Sequence, residues 1–314
     1  ARSHPVMHYA VLFPGQGSQA VGMAEDVLAS RTDLLGDAAN VALGWDLADT
    51  IRNGPEELLT QTDRAQPSLY ATAYAMWEAF RDAVAIAPAA AAGHSLGEYT
   101  ALAAAGVLDY WDGLRLVAAR GQAMAEAAAA TPSSMAALLG ADTETAERVA
   151  AERRADGGAL WVANLNSPGQ IVLAGAMTDV AWLVENAKEL GIRRAVQLNV
   201  AGGFHSPLMA TAAEALQAAL DDVSYGEAAF PVYANSTARP VENVAAGLAA
   251  QLTSPVRFEE TLRNMVAAGI DTFVHVGPGD VTAGLAKRSA REATTHVVST
   301  LEEASLVAQE LSVQ

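Results

Sequence analysis

The chain has 314 residues, enough for two average domains or for one large α/β domain carrying a smaller one. Its 51% apolar content supplies an ordinary core, and 19 Lys and Arg against 36 Asp and Glu leave a net charge of −17. That balance argues against nucleic acid or an anionic membrane as partner, since both need a basic footprint. The absence of cysteine removes a disulfide framework, a thiolate metal site and a cysteine nucleophile together.

Residues 1–7 lack the apolar stretch of a signal peptide, and the six before Met7 read as a remnant ahead of a native start there. The strongest apolar run, 83–93, is near ten residues long and contains Pro88, too short to span a bilayer. A cytoplasmic protein is the default expectation, and the sequon Asn235-Ser236-Thr237 is then not a used glycosylation site.

From Tyr9 to Phe13 the chain reads as a short apolar strand, followed by the turn Pro14-Gly-Gln-Gly-Ser-Gln19. Strand, glycine turn and helix open an α/β unit. Residues 20–90 look mostly helical. Over 63–83 the residues Tyr70, Tyr74, Trp77 and Phe80 recur at spacings of three and four, an aromatic stripe for the core. The alanine-rich stretch 85–93 ends in Gly93-His-Ser-Leu-Gly97, with helices expected over 98–105 and 109–127 and a break at Pro132 and the two serines after it.

A different rhythm follows. Strands at 135–139, 160–165, 171–174 and 194–200 alternate with helices at 142–154 and 176–190, and Asn166-Ser-Pro-Gly169 favours a turn. The order β-α-β-β-α-β is the ferredoxin-like split unit. After it come helices at 207–222, 255–268, 281–289 and 301–311 and strands at 231–234, 272–276 and 295–299. The division expected is a large α/β domain with a mostly parallel sheet over 8–132 and 201–314, interrupted by a small ferredoxin-like subdomain over 133–200.

Gly93-His-Ser-Leu-Gly97 matches the nucleophile elbow G-x-S-x-G, a strand-to-helix turn that lifts Ser95 Oγ out of the sheet. The helix N-terminus beneath it aims free N–H groups at a developing oxyanion. Such a serine needs a base. His4 and His8 sit in the terminus, His94 adjoins the serine and should leave the turn in another direction, and His275 and His296 lie in strands, where a satisfied core histidine is the better reading. His205, on a loop between strand and helix, is free to reach the end of another strand. Composition alone makes Arg120 a surface residue of an alanine-rich helix.

Phe13-Pro-Gly-Gln-Gly-Ser-Gln19, Gly93-His-Ser-Leu-Gly-Glu98, Arg120-Gly-Gln122, Asn164-Leu-Asn-Ser-Pro-Gly-Gln170, Gly203-Phe-His-Ser206, Gln251-Leu-Thr-Ser-Pro-Val256 and Val276-Gly-Pro-Gly279 follow one another in this order. Together they resemble the malonyl-CoA:acyl carrier protein transacylases of fatty acid and polyketide synthesis, from about residue 9 to 300. The resemblance implies a hydrolase-like α/β domain with a ferredoxin-like insert. It makes Ser95 the acylated nucleophile, His205 its base, and Gln16 with the Leu96 N–H the oxyanion hole. It makes the Gln251 main-chain carbonyl the group that orients His205, with side-chain identity there a weak clue, and Arg120 the fork that grips the malonyl carboxylate.

Phe204 and Leu96 resemble the pocket wall of malonyl-selective members, while Gly203 departs from the commoner alanine and is expected to loosen its loop. The implied reaction is ping-pong transfer from malonyl-CoA to the phosphopantetheine thiol of an acyl carrier protein. No cofactor or metal is implied, and the chain is expected to act as a monomer. A carrier of this kind is acidic, so docking on an acidic chain calls for a local basic site, with Arg193-Arg194 and Lys287-Arg288 as candidates. Three alternatives stay open: another acyl-CoA such as methylmalonyl-CoA, a serine thioesterase or hydrolase with Asp221 or Asp222 as acid, and a non-catalytic docking subunit.

Overall fold

The structure, a computed structural model, describes residues 7–313. The reading of the first six residues as a remnant, and His4, lie outside the described residues. β1 (Tyr9–Phe13) is buried along its whole length, as a continuous apolar run becomes when helices cover both faces of its sheet. Five short helices follow: α1 (Glu25–Ser30), α2 (Thr32–Leu35), α3 (Asp37–Leu43), α4 (Leu47–Asn53) and α5 (Glu56–Leu59). In α6 (Thr62–Ala83) the aromatic stripe turns inward, with Tyr70, Trp77 and Phe80 buried and Tyr74 half-buried against Tyr110.

β2 (Ala90–Gly93) lies parallel to β1, with Phe13 opposite Gly93. It leads through the elbow into α7 (Gly97–Ala104) and then α8 (Tyr110–Ala130). The Asp109 carboxylate caps α8 by accepting the N–H groups of Trp111 and Asp112. α6 and α8 approach closely because glycines face the contact. A Cβ on Gly113 would strike the Tyr70 hydroxyl, and one on Gly121 would lie 2.8 Å from the Thr62 carbonyl oxygen.

The insert runs β3 (Ser133–Leu139), α9 (Thr143–Ala155), β4 (Leu160–Ser167), β5 (Gln170–Ala176), α10 (Met177–Asn186) and β6 (Arg194–Gln197). β6, β3, β5 and β4 pair antiparallel in that order, the arrangement of the ferredoxin-like unit. The details differ from expectation at several boundaries, and α10 and β6 end at Asn186 and Gln197, short of the expected 190 and 200. Ser133 and Ser134 begin β3, because their partners Ala176 and Gly175 extend the ladder. Asn166 and Ser167 belong to β4, so the turn is reduced to Pro168 and Gly169.

After the insert come a 3₁₀ turn at Pro207–Met209, α11 (Ala210–Asp221), β7 (Val232–Tyr233), α12 (Val244–Gln251), β8 (Val256–Arg257), α13 (Phe258–Ala267), β9 (Thr272–Val276), α14 (Val281–Ser289), β10 (Thr294–Val298) and α15 (Leu301–Val313). The central sheet is parallel throughout, in the order β10-β9-β1-β2-β7. The start of the stretch 255–268, expected to be helical, instead supplies β8 from Val256 and Arg257, which pairs parallel with the edge of β4 and ties the insert's sheet to the large domain. α12 was not anticipated. Its signal was Asn243, whose side chain caps the Ala246 N–H at 3.0 Å ahead of an alanine-rich run.

Candidate active site

The elbow at the end of β2 is a steric consequence of its two glycines. A Cβ on Gly93 would overlap the backbone of Gly97 and Glu98, and one on Gly97 would overlap the Phe13 carbonyl. Ser95 between them adopts φ 52°, a left-handed conformation that costs a non-glycine residue about 1–2 kcal/mol. The first turn of α7 is held by i→i+3 bonds from the N–H groups of Gly97, Glu98 and Tyr99. The Ser95 N–H donates to Asn235 Oδ1 at 2.7 Å. The Leu96 N–H has no partner among the described residues, and it is the free donor beside the nucleophile.

His205 reaches this hydroxyl from the loop after the insert, with Nε2 2.8 Å from Ser95 Oγ. Its own φ is 55°, so both members of the pair sit in the left-handed region. Nδ1 lies 2.9 Å from the Gln251 main-chain oxygen. A carbonyl only accepts, so Nδ1 carries the proton and Nε2 presents its lone pair to the serine. Gln251 is the last residue of α12, and its carbonyl belongs to the end-of-helix set that lacks an intrahelical donor. Burial, reinforced by the Arg120 charge, pushes His205 down to about 3, leaving it a neutral base at physiological pH.

Arg120 is 1% exposed, which corrects the surface position that composition alone suggests. It shares the inward face of α8 with Gly113, Val117 and Met124. Its NH1 donates to Gln66 Oε1 at 2.8 Å, and its NH2 donates to Gln251 Oε1 at 2.9 Å and to Ser95 Oγ at 3.2 Å. Its Nε has no partner among the described residues. The Gln251 side chain therefore does more than expected. Besides accepting from Arg120, it donates from Nε2 to the Ser95 carbonyl at 2.9 Å.

A cavity of about 230 Å³ opens over Ser95 and His205 at the seam between the two sheets. The large domain contributes Gln16, Met124 and Phe204 to its wall, and the insert contributes Met135, Asn164 and Asn166. Gln16 is brought there because the loop after β1 lies against the elbow: the His94 N–H donates to the Phe13 carbonyl at 3.0 Å. The Gln16 amide donates to Thr62 Oγ1 at 3.2 Å. Leu96 differs from expectation in one respect. Its side chain is wholly buried in the core and leaves the cavity wall to Phe204.

His94 lines the same cavity and is engaged by the insert, its Nε2 2.6 Å from Asn166 Oδ1 across the seam. His275 is a satisfied core residue between Thr282 and the Gly277 carbonyl. His296 departs from the satisfied core residue expected: it is half-buried, its Nδ1 lies 3.2 Å from Glu310, and its Nε2 has no partner among the described residues. Asp221 and Asp222 are exposed at the end of α11, while the His205 Nδ1 is taken by a carbonyl. Gly203 does not loosen its loop: its N–H donates to Ser133 Oγ at 2.8 Å and its carbonyl accepts from Ser206 Oγ at 2.6 Å. Arg193, Arg194, Lys287 and Arg288 are exposed.

Asn235, which the sequence marks only as part of a sequon, belongs to the site as well. The residue is 0% exposed. Its Oδ1 holds the Ser95 N–H, its Nδ2 donates to the Gly93 carbonyl at 2.6 Å, and its own N–H donates to Glu98 Oε1. One side chain thus ties the end of β2 to the nucleophile. Glu98 is buried beside it, and burial pushes its carboxyl up to about 7.

The acyl transferase domain family matches residues 11–309. The malonyl CoA-acyl carrier protein transacylase of Bacillus subtilis (strain 168) is 42% identical over 307 residues, covering 96% of each chain. Among solved structures, the malonyl CoA-acyl carrier protein transacylase of Coxiella burnetii superposes with a TM-score of 0.91 at 32% identity, covering 98% of each chain. A malonyl-transacylase solved in complex with its type II PKS acyl-carrier protein gives 0.91 at 34% identity, covering 96% of this chain and 99% of that one.

Proposed function

This chain belongs to the acyl transferase domain family, and on that premise we propose that it moves a malonyl group from malonyl-CoA to the phosphopantetheine thiol of an acyl carrier protein, through a malonyl ester on Ser95. The observation that carries the reading is the meeting at one hydroxyl of a neutral imidazole at 2.8 Å and a guanidinium at 3.2 Å. An imidazole there can take a proton, and a guanidinium there can hold a carboxylate on the acyl group being transferred.

In the first half-reaction Ser95 Oγ attacks the thioester carbonyl while its proton passes to His205 Nε2. The Leu96 N–H and the Gln16 amide receive the oxyanion, both neutral donors that leave the substrate carboxylate to Arg120. The tetrahedral intermediate collapses with loss of the CoA thiol, which takes the proton from His205. In the second half-reaction the carrier's thiol gives its proton to His205 and attacks the ester, and Ser95 leaves with that proton. The Gln251 carbonyl accepts the Nδ1–H throughout and stabilises the transient imidazolium, as a carboxylate does in other triads.

Phe204 on the cavity wall crowds an α-methyl group and favours malonyl over methylmalonyl. The thioester supplies the acyl group, so the reaction as proposed needs no resident cofactor. We place the protein in the cytoplasm as a monomer, docking its acidic carrier through exposed basic pairs such as Arg193-Arg194 or Lys287-Arg288. No helix among the described residues is long and apolar enough to cross a membrane. The carbonyl on His205 weighs against a serine hydrolase, and the intact Ser95, His205 and Arg120 weigh against a docking subunit. Incubation with malonyl-CoA and a phosphopantetheinylated carrier protein tests the reading. Malonyl-carrier should be the main product, whereas release of free malonate at a similar rate would make the protein a hydrolase.

A further inference from the structure

The hydrogen-bond partners of the Arg120 side chain are the Gln66 amide, the Gln251 amide and the Ser95 hydroxyl, all of them neutral. That is unusual for a guanidinium 1% exposed, because a buried charge is ordinarily met by an opposite one. Burial lowers Arg120 from its usual range, and a guanidinium in a protein keeps its proton. Tyr99, Glu98 and His205 face it. Tyr99 lies with its ring 5.5 Å from the guanidinium carbon. The Glu98 carboxylate is engaged by the Asn235 N–H, and burial opposes its ionisation. His205 carries no charge that could offset the arginine.

Gln66 is the partner whose chemistry is most specific. It is 0% exposed on α6, brought within reach of α8 by the glycine contacts between the two helices. Its Nε2 donates to Met124 Sδ at 3.3 Å, which leaves Oε1 aimed at Arg120 NH1. A glutamate has the same shape and would hold the guanidinium more strongly, but as an ion pair. The amide orients the fork and leaves its charge unspent.

We propose that Gln66 is a positioning residue that determines acyl specificity: its neutral oxygen aims the Arg120 guanidinium at the acylation site while reserving the positive charge for the carboxylate of a dicarboxylic acyl thioester. The proposal rests on the assignment of Arg120 given above. It makes neutrality at position 66, rather than bulk or hydrogen bonding alone, the property that separates malonyl from neutral acyl groups.

The test is Ser95 labelling by malonyl-CoA and by acetyl-CoA in the wild type, Gln66→Glu and Gln66→Met, read by intact mass. Gln66→Glu should lower the malonyl-to-acetyl labelling ratio roughly 10- to 100-fold, the scale of one hydrogen bond to a charged group. Gln66→Met, which removes the aim without adding charge, should lower the ratio only a few-fold, clearly less than Gln66→Glu does. Gln66→Glu should also raise the apparent pKa of the acid limb of labelling, because it offsets the Arg120 charge that helps to depress His205. Where Gln66→Glu does not fold, Gln251→Glu puts a carboxylate on the other Arg120 nitrogen and should shift the ratio in the same direction. Equal losses of ratio in Gln66→Glu and Gln66→Met, or no shift in the glutamate variants, would overturn the proposal. An unchanged ratio in Arg120→Ala would instead overturn the assignment of Arg120 on which it rests.

Discussion

The Nδ1 of His205 and the main-chain oxygen of Gln251 lie 2.9 Å apart, so the base is oriented by the carbonyl at the end of a helix. A carbonyl cannot ionise. It fixes the tautomer and the ring plane but adds no full negative charge to hold a proton on the imidazole. Burial and Arg120 then act with little opposition, and His205 is pushed down to about 3.

The first consequence concerns pH. A histidine with a lowered pKa stays competent as a base until the pH falls toward that value. Ser95 loading should therefore stay flat from about pH 8 to about pH 5, with its acid limb below the range of an ordinary histidine. The same shift makes the fold lose stability as pH drops from 6.5, where the unfolded imidazole begins to bind protons, toward 3. Initial rates of loading across this range check the point, and a half-loss of rate near pH 6.5 would contradict it.

Asn235 carries the second. Replacement by alanine removes the acceptor for the Ser95 N–H and the donor to the Gly93 carbonyl, and leaves the strained serine without its clamp. Asn235→Ala should cost on the order of 1–3 kcal/mol in denaturant unfolding, the penalty for buried polar groups left unpaired. Loading should lose kcat with little change in KM, because the serine is misplaced while the pocket remains.

Glu98 carries the third. Its carboxyl is pushed up to about 7, so the folded state holds a proton that the unfolded chain releases near 4.5. The stability this contributes is complete below 4.5 and is lost as pH rises through 7. Glu98→Gln cannot release a proton, and at pH 8 it should exceed the wild type by on the order of 3 kcal/mol. Unfolding midpoints of the two proteins should run together below about pH 4.5, separate between 4.5 and 7 and stay apart above it, and curves that keep a constant separation from pH 4 to 8 would contradict the burial argument.

Much of this site was legible in the sequence, and the unread parts share a cause. Ser95 and His205 announced themselves through local patterns: two glycines around a serine, and a histidine on a loop between strand and helix. Arg120 was hidden by its alanine-rich surroundings, although Gly113, Val117 and Met124 mark its face of the helix as buried. Asn235 and the Gln251 side chain carry no local signature, since their partners lie 140 and 131 residues away. β8 was unreadable for the same reason. Two residues after a proline become a strand only because β4 offers them an edge.

Phe204 carries the fourth prediction. It is 6% exposed and stands on the cavity wall where Leu96 does not. Phe204→Ser should raise methylmalonyl loading relative to malonyl by about 1–3 kcal/mol, or roughly 10- to 100-fold, the worth of one methyl group in a pocket. The ratio of the two adducts in a competition with both thioesters reads this directly, and Leu96→Val should change it less.

The central claim is that a hydroxyl, an imidazole and a guanidinium act as one unit. Intact-protein mass measurement after mixing with malonyl-CoA and acetyl-CoA in equal amounts tests it most directly. A single malonyl adduct should form on the wild type and none on Ser95→Ala or His205→Ala, while Arg120→Ala should turn the preference toward acetyl. Equal labelling of the wild type by both thioesters, or a malonyl adduct that survives Ser95→Ala, would contradict the account.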